Sequence, residues 1–152
     1  MKTYLVTGGA GFIGSNFVLY MLQKYDDIRI INLDKLTYAG NLENLKSVEN
    51  DKRHIFVQGD ICDRGLVSSL FEKYEIDYVA HFAAESHVDR SIREPEVFAK
   101  TNVMGTVNIC ECVRLNPCVK SFLNVTTDKV YHNNEWAWGY RENEPLDGYD
   151  PY

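Results

Sequence analysis

The sequence contains no run of about 18 apolar residues, so nothing in it is suited to cross a bilayer as a helix. Basic residues are outnumbered by acidic ones, 16 to 22, and they form no cluster. A nucleic-acid or anionic-membrane surface therefore has no electrostatic footprint here. Cysteine is scarce: Cys62, Cys110, Cys112 and Cys118 have neither zinc-ribbon spacing nor a histidine cluster beside them. Four such thiols make no disulfide framework in a chain of this size, so reduced thiols and no metal site are expected. Strand-like sequence begins at Thr3, which leaves no room for a signal peptide, and a cytoplasmic location is expected. Internal repeats, low-complexity tracts and linkers are absent as well.

What is present is the composition of a globular domain, 45% hydrophobic and 25% charged over 152 residues. A chain of that size can bury about two thirds of its unfolded surface. Short apolar runs alternate with helical periods. Tyr4-Leu5-Val6 reads as a strand and Phe12 to Lys24 as a helix; Ile28 to Leu33, closed by Asp34, reads as a second strand. Residues 35–52 are loop-like, with a short helix around 41–48. His54 to Gln58 reads as a third strand, and Asp63 as the N-cap of a helix to Tyr74. Tyr78 to Phe82 is a fourth strand. A long helix is expected from Pro95 to Asn116, with Val97, Phe98, Val103, Val107 and Ile109 facing inward. Lys120 to Val125 is a fifth strand, followed by an aromatic loop. Strands alternating with helices predict βαβ units: an α/β fold with a Rossmann-type doubly wound parallel sheet and ligands at the strand carboxyl ends.

Gly8-x-x-Gly11-x-x-Gly14 follows a strand and opens a helix, the context that a dinucleotide-binding turn requires. Gly8 permits the tight turn, Gly11 admits a pyrophosphate to the backbone, and Gly14 lets the helix pack on the sheet. Free N–H groups and the helix dipole would then stabilise the phosphate charge. Asp34 lies 20 residues after the last glycine, at a strand end. A carboxylate there accepts from ribose hydroxyls and repels a 2′-phosphate, so NAD is favoured over NADP. Asp60-Ile61 ends the third strand and suits the adenine, although Asp60 serves equally as a turn residue. Glu85 and Ser86 follow the fourth strand, where they suit a sugar or diphosphate, or equally a loop cap. His81 reads as a strand residue and His87 as a surface histidine. Trp136, Trp138 and Tyr140 read as a small satellite core or as a cover for the site.

The glycine spacing resembles that of the extended short-chain dehydrogenase/reductases. Asn32 to Asn41, Gly59-Asp60-Ile61, Ala83 to Ser91 and Thr101 to Thr106 closely resemble dTDP-glucose 4,6-dehydratases. Farther on, Thr126-Thr127-Asp128-Lys129 departs from the Thr-Asp-Glu of those enzymes. Glu135 to Pro145 and Gly148 to Tyr152 resemble CDP-glucose 4,6-dehydratases instead.

The resemblance implies a nucleotide-sugar 4,6-dehydratase that converts a nucleotide-diphosphoglucose to its 4-keto-6-deoxy product and regenerates NAD within the turnover. It implies cofactor contacts from Gly8, Gly11, Phe12, Ile13, Gly14, Asp34, Lys35, Thr37, Asp60, Ile61, Ala83 and Ala84, and substrate contacts from Glu85 and Ser86. By the same resemblance Tyr152 is the base on the C4 hydroxyl and Thr127 its helper hydroxyl. Asp128 is the acid and Lys129 the base of the elimination across C5–C6. An ordinary tyrosine, with a pKa of about 10, is a poor base at neutral pH. The family lowers it with a lysine four residues on, a position past Tyr152. The resemblance also implies a homodimer and relatives of about twice this length. The expectation is thus residues 1–152 as an incomplete NAD-binding domain, truncated after the fifth strand and without the sugar-binding domain. Two alternatives stay open: a CDP-glucose 4,6-dehydratase, and a catalytically silent NAD-binding fragment.

Overall fold

A computed structural model describes all 152 residues. Five strands, β1 (Lys2–Thr7), β2 (Ile28–Asp34), β3 (His54–Gln58), β4 (Tyr78–His81) and β5 (Ser121–Asn124), form one parallel sheet in the order β3-β2-β1-β4-β5. This is the Rossmann-type doubly wound arrangement that the alternating pattern predicts. Side chains of successive strand residues point to opposite faces, so consecutive apolar residues feed two cores. Leu5 and Ile31 enter one core together with Val67, Phe71, Ile109 and Cys112 from α2 (Arg64–Lys73) and a later helix. Val6 and Ile30 enter the other, with Val18, Met21 and Leu22 of α1 (Phe12–Lys24) and Leu45 of a 3₁₀ segment, Leu42–Val48. Both covered faces explain why β1 and β2 read as unbroken apolar runs. Caps behave as expected: the Asp63 side chain accepts from Leu66 N–H at the start of α2.

A separate short helix, α3 (Val88–Arg93), precedes the expected long helix. The long helix is continuous from Pro95 to Leu115, as α4 (Pro95–Phe98), a π-helical stretch, Ala99–Gly105, and α5 (Thr106–Leu115). Phe98 and Ile109 are fully buried as expected, but Val103 and Val107 are 58% and 46% exposed. The reason is which residues form the inward stripe. Phe98, Asn102, Gly105, Ile109 and Cys112 recur at helical spacing, and two of them are not apolar, so apolar periodicity alone selects the neighbouring face. Gly105 lets the helix approach Ile61 closely, since an added Cβ would lie 2.5 Å from Ile61 Cδ1 and displace that side chain.

After β5 the chain carries a short 3₁₀ turn, Asp128–Val130, and one antiparallel bridge between Tyr131 and Leu146. Its aromatic residues pack on one another: Tyr131 stacks on Tyr140 at 5.4 Å, and Trp136 on Trp138 at 5.3 Å.

Candidate functional site

The register makes the carboxyl ends of three strands level, with Thr7 opposite both Leu33 and His81. The loops after β1, β2 and β4 therefore gather at one edge, where the strand order reverses. Gly8 turns the chain with a φ of +70°, and a Cβ there would lie 2.7 Å from the Ala83 backbone nitrogen. Only glycine fits that conformation and that approach. Gly11 then caps α1 without any side-chain hydrogen bond, and Ser15 N–H is the first to reach back to it, at 2.9 Å. The N–H groups of Phe12, Ile13 and Gly14 precede the first helical acceptor and stand where an anion binds. The side chains of Phe12 and Ile13 are exposed.

Asp34 is buried and ties the loops together. Its Oδ2 accepts from Ala10 N–H at 2.9 Å and its Oδ1 from Leu36 N–H at 2.8 Å. A carboxylate has about four lone-pair positions, so two remain for a ribose. Asp60 pairs with Lys35 at 2.7 Å and accepts from Cys62 N–H at 2.9 Å. Burial pushes the Asp60 carboxyl up, but the Lys35 ammonium and the Cys62 N–H outweigh it and hold it below the usual range. The Ile61 side chain belongs to the core, while Thr37 and Ala84 are exposed.

Beneath these loops lies a polar chain that connects β1, β4 and α5. Ala83 N–H donates to Thr7 Oγ1 at 3.3 Å, Thr7 Oγ1 lies 2.6 Å from His81 Nδ1, and His81 Nε2 lies 3.1 Å from Thr106 Oγ1. Burial pulls His81 down to about 4, so its ring is neutral, with one nitrogen donating and the other accepting. Glu85 is also buried. Asn102 grips its backbone reciprocally, accepting from Glu85 N–H and donating to Glu85 O, both at 2.9 Å. Arg90 takes its carboxylate at 2.9 Å and lies 5.2 Å from the centre of the Tyr38 ring. Glu85 is thus anchored in the loop, while Ser86 beside it is exposed. Lys35, Thr37, Tyr38, Glu85, His87 and Arg90 border an open pocket of about 760 Å³. Tyr38 and His87 meet there, hydroxyl to Nδ1, at 2.9 Å.

A second cluster lies after β5. Thr127, Lys129 and Tyr152 line a hollow of about 360 Å³, and Thr127 Oγ1 donates to Asp128 Oδ1 at 3.5 Å. Thr127 Oγ1 accepts from Lys129 N–H at 3.2 Å, which sets the turn. Asp128 and Lys129 are both exposed.

The family model described as GDP-mannose 4,6 dehydratase matches residues 5–152. The chain belongs to that family. A dTDP-glucose 4,6-dehydratase of Xanthomonas campestris is 48% identical over all of this chain and 45% of its own length. A dTDP-glucose 4,6-dehydratase of Streptomyces venezuelae, solved with NAD bound, is 45% identical and superposes with a TM-score of 0.90 over 99% of this chain and 47% of its own. A UDP-glucose 4-epimerase of Thermotoga maritima, solved with UDP-glucose, is 32% identical, with a TM-score of 0.87 over 99% of this chain and 46% of its own. The chain spans about 45% of the length of the curated relatives it matches.

Within this GDP-mannose 4,6 dehydratase family chain, sequence reasoning missed the residues that act through others. Thr7, Thr106, Asn102 and Arg90 touch partners between 5 and 76 positions away. The only local signal was that Asn102 and Thr106 fall within one of the family-like blocks.

Proposed function

We propose that residues 1–152 act as the NAD-binding domain of a nucleotide-diphosphoglucose 4,6-dehydratase with dTDP-glucose as its substrate. The observation that carries this reading is the glycine turn: a strand end, a left-handed Gly8, three unpartnered N–H groups and the Asp34 carboxylate meet at one place. Their donors and acceptors fit a dinucleotide, anion to helix end and ribose to carboxylate. NAD bound there would supply a hydride acceptor for oxidation at C4 and would return that hydride to C6 after the elimination.

The chain's own residues supply the rest. Tyr152 takes the proton of the C4 hydroxyl, with Thr127 beside it in the same hollow. Oxidation at C4 acidifies the C5 proton. Lys129 removes it as the base, and Asp128 protonates the leaving C6 hydroxyl. Gly8, Gly11, Phe12, Ile13 and Gly14 hold the pyrophosphate, Asp34, Lys35 and Thr37 the adenosine ribose, Asp60 and Ile61 the adenine, and Ala83 and Ala84 the nicotinamide side. Glu85 and Ser86 face the sugar nucleotide. A homodimer in the cytoplasm belongs to the same reading.

Calorimetric titration with NAD tests the cofactor site. Incubation with dTDP-glucose, read by the alkali-induced absorbance of a 4-keto-6-deoxy sugar, tests the reaction. A signal with CDP-glucose alone would transfer the assignment to the other nucleotide, the alternative suggested by Glu135 to Tyr152. NAD binding without turnover of either sugar would support the silent cofactor-binding alternative, which the exposure of Asp128 and Lys129 favours. An NAD titration without heat or saturation would reject the proposal entirely.

A further inference from the structure

Asn32 is fully buried in β2 with a side-chain oxygen that has no hydrogen-bond partner. On one side its Nδ2 lies 3.1 Å from Nε2 of His54 in β3. On the other its carboxamide stands against Gly9: a Cβ on that glycine would lie 2.6 Å from Asn32 Cγ and 2.9 Å from Nδ2, with Oδ1 nearer still. The carboxamide therefore occupies the space that a side chain at residue 9 would need. Gly9 is not part of the Gly8-Gly11-Gly14 spacing, and this contact is its physical reason. A leucine would fill the same volume without stranding a buried oxygen, so packing alone does not account for an amide.

We propose that Asn32 is a positioning residue for the glycine turn, with His54 choosing which edge of its carboxamide meets Gly9; this rests on the dinucleotide reading above. Neutral His54 presents a lone pair at Nε2 and accepts the Asn32 N–H. That bond turns Oδ1 toward the Gly9 Cα hydrogens, where it makes a weak but attractive contact. The turn is held against the sheet, and the neighbouring Ala10 N–H keeps its bond to Asp34. When His54 is protonated, both ring nitrogens donate, and Nε2–H faces Nδ2–H. The carboxamide must then rotate, placing its two N–H bonds against the Gly9 hydrogens and pushing the turn outward.

Burial lowers the His54 pKa below the ordinary 6.5, opposed by the Val48 carbonyl and the Asp51 carboxylate. Asp51 is the charged group facing the ring, and Asp51 is itself paired with Arg53 at 2.7 Å. Asn32, on the β2 side, is uncharged.

The test is calorimetric NAD titration of the 152-residue chain between about pH 8 and pH 5, with the His54 ring nitrogens followed by nitrogen-15 NMR. The parent should lose affinity about fivefold or more toward acid, with a midpoint that matches His54 protonation. His54→Gln, whose amide oxygen still accepts from Asn32 but does not titrate, should keep the high-pH affinity and lose that dependence. Asn32→Leu, checked for folding by circular dichroism, should bind more weakly at every pH. Identical pH profiles in the parent and His54→Gln would overturn the proposal, as would parent-like affinity in a folded Asn32→Leu. In either case NAD still binds, which leaves the dinucleotide reading intact; no binding by any variant at any pH would reject both.

Discussion

Around Thr7, Asp34 and His81 the polar groups are buried and nearly all paired, whereas Asp128 and Lys129 lie exposed after β5 on a segment held by one short turn, one bridge and the stacking of its own aromatic rings. The contrast concerns preorganisation. The glycine turn is braced from β1, β2 and β4, so its N–H groups are oriented before any ligand arrives, and binding there forfeits little conformational freedom. The hollow lined by Thr127, Lys129 and Tyr152 depends on residues within 25 positions of one another and on no strand beyond β5. Its exposed apolar neighbours, Leu146 at 69% and Tyr149 at 83%, show how little of it is covered.

Substitutions on the braced side should therefore disturb stability and cofactor binding together, and those on the open side neither. The largest effect is expected from Gly8→Val. A β-branched side chain at φ +70° against Ala83 should cost about 2–4 kcal/mol and abolish NAD binding, as read by thermal melting and titration. Normal NAD affinity in a folded Gly8→Val would break the comparison at its strongest point.

His81 gives the next effect, and its sign follows from burial. The folded pKa, about 4, lies below the unfolded 6.5, so the unfolded chain binds the extra proton first. The His81 contribution to stability should be constant above pH 6.5, fall through the window from 6.5 to about 4, and level off below it. The loss is about 3 kcal/mol. Denaturation across that range measures it, and His81→Gln should flatten most of the slope. An unchanged slope in that variant would remove His81 from the bracing.

Asp34→Asn should reduce NAD affinity about tenfold and stability by about 1 kcal/mol, because one of its two backbone-bonded oxygens becomes a donor. A stability loss with NAD affinity unchanged would make Asp34 a loop clamp only. The smallest effects belong to the open side. Asp128→Asn and Lys129→Met should each shift stability by less than about 0.5 kcal/mol and leave NAD affinity unchanged. On the proposed reading, turnover of dTDP-glucose should nonetheless fall about 100-fold or more. A large stability loss from either would show that this segment is braced after all.

The parallel sheet, the glycine turn and the place of Asp34 follow from local patterns, because strand and helix periods and a left-handed glycine are properties of a few neighbouring residues. The Asp63 cap was legible for the same reason. What depends on residues far apart in the chain emerged only with the packing. Asn102 turns out to grip Glu85, which puts a polar residue on a buried stripe and leaves Val103 and Val107 outside. Thr127, Lys129 and Tyr152 come to line one hollow although 25 positions separate Thr127 from Tyr152. The carboxamide of Asn32 finds His54 22 positions away and Gly9 23 positions back. Contacts of that kind carry no period in the sequence; they exist only once β1, β2 and β3 lie side by side.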